Sequence, residues 1–205
     1  MNKRLNDAEK GKIVDHIYSI KCSAHFRVDS YLESQYAKTL EFSDDVVRYN
    51  SQPFTTKYID FDGKTRRYTP DFAVEKKNGD ILIIEVKRSK IAAGAAFKFK
   101  FGILKKHIKE LYGIQLTLIS EADIPEKLIK NTEFLYPYRR KKLTNQEASV
   151  AEVFSNTEIT FLALKNHIVA EGMNINSAYK LLAFKMFSFN LMAKINDDLV
   201  LGGVA

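Results

Sequence analysis

The sequence predicts a mixed α/β sheet with helices on its faces, followed by a small helical module. Three observations carry this expectation. "NG" at Asn78-Gly79 joins two apolar strand-like runs, and "DG" at Asp62-Gly63 opens the first of them; both dipeptides are hairpin signals because they tolerate positive φ. "AAFKFKFGILKKHIKELYG" (residues 95–113) is an amphipathic helix ending on a glycine cap. "IQLTLIS" (residues 114–120) reads as a buried strand, and strand, helix, strand in succession implies a crossover with parallel pairing.

Composition narrows the class. A hydrophobic fraction of 45% and only 4 prolines in 205 residues describe a folded chain. A single cysteine, Cys22, excludes an intramolecular disulfide and suits a reducing compartment. "MNKRLNDAEKGKIVDHIYSI" has no apolar signal-peptide core. No run approaches the ~18–20 apolar residues of a membrane span. The expectation is a soluble, cytoplasmic protein without a membrane partner. The net charge of +7 is uneven: residues 144–205 hold four lysines against six carboxylates, −2, which leaves +9 on residues 1–143. Such an imbalance points to a polyanion such as DNA, against the plainer reading of ordinary solubility charge.

Each element has a local reason. A helix is expected near residues 9–20. Cys22 and His25 form a C-x-x-H pair, but no second pair completes a zinc site. "DSYLESQYAKTLEF" (residues 29–42) is a helix with Asp29 or Ser30 as cap, Glu33 at the capping-box position and a stripe of Leu32, Tyr36, Leu40 and Phe42. "VVRYNSQPF" and "TKYIDF" are strands, and further strands are expected over 64–75 and 80–87. "EADIPEKLIKNTEFLY" is one helix or two short ones, and "YPYRRKK" (residues 136–142) is a basic linker. The expected division is a first domain, 1–143, and a second, 144–205. The second reads as three helices and a final hairpin, the pattern of a small winged-helix module. Its "YKLLAFKMFSFNLMAKI" is expected to be an apolar helix bearing Lys180, Lys185 and Lys194. It serves either as internal core or as a surface for a protein partner.

The chemistry concentrates in "RYTPDFAVEKKNGDILIIEVKRSK" (residues 67–90). Alternation puts Glu85 and Lys87 on one side of their strand. Counting back from Asn78-Gly79 sets Asp71 opposite Glu85 to Lys87, where paired residues lie ~5 Å apart. Two converging carboxylates raise each other's pKa unless a cation intervenes, and hard oxygen ligands suit Mg²⁺ or Mn²⁺. A metal there activates water and offsets charge on a phosphate, and Lys87 adds a fixed cation. The plainer reading is a structural ion pair between Lys87 and Asp71 or Glu85. Likewise Glu33 is either a helix cap alone or a contributor to this site.

These residues resemble the PD-(D/E)xK nuclease superfamily through Pro70-Asp71 and Glu85-Val86-Lys87. "YLESQYAKTLEFSDDVVRYNSQPF", "RYTPDFAVE", "IIEVKRS" and "KNTEFLYPYR" resemble, in that order, the TnsA endonuclease subunit of heteromeric transposases over roughly residues 25–142. The resemblance implies a restriction-endonuclease-like fold with a small C-terminal module. It implies Glu33, Asp71, Glu85 and Lys87 as catalytic residues, with Asp71, Glu85, the Val86 backbone carbonyl and Glu33 around the metal. Glu85 stands where some members carry glutamine. It implies nicking at the 5′ ends of a transposon, an integrase-type transposase partner (TnsB-like) and an AAA+ ATPase regulator (TnsC-like). A stand-alone restriction or repair nuclease and a catalytically idle DNA-binding adaptor are the alternatives. Arg66, Arg67, Arg88 and Lys90 flank the site in sequence; Lys98, Lys100, Lys105 and Lys106 follow on the next helix; Arg139, Arg140, Lys141 and Lys142 form the densest basic run. All are expected on a phosphate track. Gln52 either touches DNA or ends its strand.

Overall fold

A computed structural model describes residues 15–204, which form two compact units dividing between Ile124 and Pro125. The expected N-terminal helix lies mostly outside the described residues. Its last part is instead strand β1 (Asp15–Ser19), paired antiparallel with β2 (Ala24–Val28).

Helix α1 (Tyr31–Phe42) begins at Ser30, whose hydroxyl accepts the Glu33 N–H, and ends at Ser43. The expected stripe is buried through Leu32, Leu40 and Phe42, and Tyr36 meets Phe72 edge-on at 5.5 Å. Strands β3 (Val46–Ser51), β4 (Thr56–Ile59), β5 (Thr65–Tyr68), β6 (Phe72–Lys76) and β7 (Ile81–Val86) follow. The strand expected over 64–75 is two. Pro70 has no N–H for a ladder, so the chain breaks there: β5 pairs with β4, and β6 enters the main sheet. At the turns, Gly63 (φ +74°) and Gly79 (φ +85°) take the left-handed conformation, and their asparagine and aspartate partners do not.

A short helix α2 (Ser89–Ala92) leads into α3 (Ala95–Tyr112), closed by Gly113 in the left-handed conformation, and then β8 (Leu116–Ile119). The main sheet runs β3-β6-β7-β8, antiparallel except for the parallel β7–β8 pair. One face packs on α3 through Tyr58, Tyr68, Ile83, Leu104, Ile108 and Leu116. Burying each such aliphatic side chain contributes about 1.5–3 kcal/mol.

In the second unit come α4 (Glu126–Leu135), a 3₁₀ turn (Tyr136–Arg140), α5 (Asn145–Val153), β9 (Glu158–Thr160), α6 (Phe161–Ala170), α7 (Asn176–Ala183), β10 (Phe187–Ser188) and β11 (Val200–Gly203). From α5 onward the order is helix, strand, two helices and two strands, with the three strands in one antiparallel sheet of order β10-β11-β9. Two expectations change. The supposed linker is packed structure: Tyr138 stacks on Tyr179 of α7 at 5.4 Å, and Phe134 meets the same ring at 5.4 Å. The long apolar helix stops at Ala183, and Lys185 is left-handed (φ +56°), so Lys185 and Lys194 lie beyond α7. Among the described residues no helix is long and apolar enough to cross a membrane.

Candidate active site

The register of β6 against β7 pairs Phe72 with Ile84, which brings the preceding Asp71 opposite Glu85. Backbone bonds continue past the strand: the Asp71 N–H donates to the Ile84 carbonyl at 3.1 Å, and the Asp71 carbonyl accepts the Gln52 N–H at 2.9 Å. The Asp71 carboxylate is held by the Val86 N–H, 2.7 Å from Oδ2. Glu85 is buried. Its Oε2 accepts the Tyr68 hydroxyl at 2.9 Å, and its Oε1 lies 3.4 Å from the Lys87 ammonium. Lys87 keeps 32% of its side chain exposed, so this is not a closed, desolvated ion pair.

The electrostatics are those of crowded acid. Asp71 is pushed up to about 8, first by burial, then by the charges of Glu85 and Glu33; the Val86 N–H and Lys87 offset this only in part. Burial and the adjacent Glu85 raise the Tyr68 phenol, so Tyr68 stays protonated and donates. Sequence reasoning missed Tyr68. It lies three residues before Asp71, and only the separate β4–β5 hairpin turns it towards Glu85.

Glu33 is buried and serves as a cap: Oε2 accepts the Asp29 N–H at 2.8 Å and Oε1 the Ser30 hydroxyl at 2.7 Å. Its charge reaches Asp71. Yet among the described residues no group of three or more His, Cys, Asp or Glu gathers closely enough to hold a metal ion. The acids therefore form a pair, Asp71 and Glu85, with Glu33 outside it. A pair suits Mg²⁺, which is commonly held by one or two carboxylates with water and substrate phosphate completing its shell. The excess negative charge that lifts Asp71 is what a cation would relieve. A cleft of about 180 Å³, lined by Ser30, Glu33, Val86, Lys87, Arg88 and Ile91, lies at the end of β7; Lys87 and Val86 line it, and Asp71 and Glu85 do not.

The candidate DNA residues separate. Arg88 and Lys90 are exposed at the start of α2, Lys98 is exposed on α3, and Arg67 is exposed on β5. Arg66 is turned back onto its own hairpin, 3.0 Å from Asp62 and 3.5 Å from Asp60. Gln52 is a strand-ending residue in the left-handed conformation (φ +49°), with its amide on Asp29. Arg139 lies over the Phe184 ring at 5.9 Å and so packs within the second unit, as does the turn carrying Arg140.

A mixed sheet ending in an acidic pair, with helices on its faces, defines a restriction-endonuclease-like α/β domain. Residues 43–121 match the family described as TnsA-like endonuclease N terminal, which supports a TnsA-type nuclease over that segment. That span includes Asp71, Glu85 and Lys87 and leaves out Glu33. No curated protein sequence matches the chain.

Proposed function

We propose that this chain is the metal-dependent DNA endonuclease subunit of a heteromeric transposase, hydrolysing phosphodiesters at the 5′ ends of the transposon. The observation that carries this is the register-locked acidic pair Asp71–Glu85 with Lys87 at 3.4 Å, inside the segment that matches the nuclease family. Asp71, Glu85 and the Val86 carbonyl would hold Mg²⁺ or Mn²⁺. When bound, such an ion supplies an activated water and charge neutralisation at phosphate. The chain's own residues do the rest. The Val86 N–H fixes the Asp71 carboxylate, Tyr68 fixes that of Glu85, and Lys87 presents a partly exposed cation to the developing phosphate charge. Glu33 caps α1 and adds negative potential at the rim of the cleft.

An integrase-type transposase and an AAA+ ATPase are the partners this reading requires. For the second unit we infer protein rather than duplex contact. In a winged helix the last helix normally enters the major groove. Here α7 is mostly buried, with Tyr179 under the Tyr138 and Phe134 rings and Lys180 paired with Glu147.

The test incubates the protein with Mg²⁺ or Mn²⁺ and transposon-end DNA, with and without partners, alongside Asp71→Ala and Lys87→Ala. Partner-dependent 5′ nicking that both variants lose by ~10²–10³-fold is expected. Cutting of any DNA without partners would make it a stand-alone nuclease. Absence of cutting under every condition would leave an idle adaptor.

A further inference from the structure

The α3-facing side of the first unit carries a surface that the acidic pair does not explain. Phe61, at the tip of the β4–β5 hairpin, is 72% exposed, and Phe99 in α3 is 60% exposed. Their rings meet edge-on at 5.9 Å. Two large aromatics left together in water cost hydrophobic free energy unless a ligand covers them.

Their place in the fold is set by topology. Because α3 links the parallel strands β7 and β8, its N-terminal end stands where β7 finishes, at Glu85 to Lys87. The hairpin climbs the same helix: Thr56 bonds His107 at 3.1 Å, whereas the tip reaches Phe99. Eight residues of helix separate these contacts, about 12 Å. The aromatic pair therefore stands towards the end of α3 where β7 finishes, about 12 Å along the helix from the Thr56–Tyr68 level, and Tyr68 at the base of the same hairpin bonds Glu85.

The surroundings are basic. Residues 56–68 and 95–112 together carry nine Lys and Arg against three Asp and Glu. A cleft of about 450 Å³ on α3 is lined by Lys105, Lys106 and Lys109 around Gly102, where an added side chain would meet nothing within 4 Å. Lysines that track phosphates beside exposed rings that accept bases are what nucleic-acid recognition needs.

We propose that Phe61 and Phe99 form a base-contacting wedge that stacks on a nucleobase flanking the cleavage site, with the lysines of α3 carrying the adjoining backbone. The inference rests on the nuclease reading and names how that site would grip DNA. The occupant is DNA rather than protein because the charge around the rings is predominantly positive, nine Lys and Arg against three Asp and Glu.

The chain contains no tryptophan, so Phe61→Trp or Phe99→Trp installs a single reporter in the full-length protein, and Val47→Trp, at an exposed position of β3, is the control. The probe is a mixed-sequence duplex of about 30 base pairs with one mispaired base, tested beside its fully paired counterpart in Mg²⁺-free buffer. Emission from the Phe61 and Phe99 reporters is expected to fall as DNA is added, saturating together with binding, while the Val47 reporter stays constant. Phe61→Ala and Phe99→Ala are expected to bind about tenfold more weakly with an unchanged slope of affinity against salt, since no phosphate contact is lost. Circular dichroism melts that match the wild type would confirm that both variants fold. Binding without quenching, or alanine variants of full affinity, overturns the wedge and leaves the nuclease reading standing. DNA affinity retained while an integrase-type partner no longer associates assigns the rings to protein. No DNA binding by the wild type overturns both readings.

Discussion

Tyr68 shows how one side chain outside the acidic run governs it. Its hydroxyl is the donor to Glu85 Oε2, and outer partners of metal-binding carboxylates commonly shift metal affinity 10–100-fold. Tyr68→Phe is expected to raise the Mg²⁺ concentration for half-maximal cleavage about tenfold, with less effect at saturating Mg²⁺; an unchanged Mg²⁺ dependence would refute the role. Asp71 makes a pH prediction. Its pKa is 3.8 ordinarily and about 8 in the folded chain, so between these values the folded state holds a proton that the unfolded state has released. Stability therefore falls as pH rises through that window in Mg²⁺-free buffer. Melting temperature measured from pH 5 to pH 8.5 should decline, Asp71→Asn should flatten the decline, and Mg²⁺ should restore stability most at the alkaline end. Asp71, Glu85 and Lys87 were legible because β-alternation and one turn place them. Tyr68 was not, since its partner lies 17 positions away in a different sheet.

At the scale of elements, α1 is fastened at both ends by acids with different duties. Glu33 caps its start. Glu41 is 1% exposed near its end, where the helix dipole disfavours a negative charge. Four donors compensate: the Ser19 hydroxyl at 2.7 Å, the Tyr49 hydroxyl at 3.0 Å, and the N–H groups of Ile20 at 2.9 Å and Lys21 at 3.3 Å. The β1–β2 turn and β3 are thereby bound to the helix that flanks the site. Glu41→Ala strands these groups, and urea unfolding should show a loss of about 3 kcal/mol; a change under ~1 kcal/mol would mean that water replaces the carboxylate. An acid between two buried positions at a helix C-terminus was a readable signal of this network. The break at Pro70 was readable too, from the missing N–H. The end of α7 at Ala183 was not, because apolar periodicity continues past it and only the β10–β11 pairing takes the following residues away.

At the scale of the whole chain, the division at Ile124 and Pro125 has consequences for any dissection. Leu135 and Tyr136 are buried in the second unit, and the aromatic contacts of α4 and the 3₁₀ turn are made with α7. A chain ending at residue 124 should unfold in a single cooperative step. A chain ending at residue 143 keeps α4 without its partner, and should show the same transition plus a protease-sensitive, self-associating tail. Limited proteolysis and sedimentation of the two truncations distinguish these outcomes. A stable, monomeric 1–143 would place the boundary back at the position expected from composition.

The sequence alone determined the alternation of strand and helix, the parallel β7–β8 crossover and the convergence of Asp71 on Glu85, because each follows from local periodicity and one hairpin turn. Tertiary structure alone decided which groups orient those acids, that Glu33 spends its oxygens on a helix cap, that α7 is covered, and that the phenylalanines of the β4–β5 tip and of α3 stand exposed together. Those facts depend on contacts between residues far apart in the chain, and periodicity in a single segment carries no information about which distant side chain fills the space beside it.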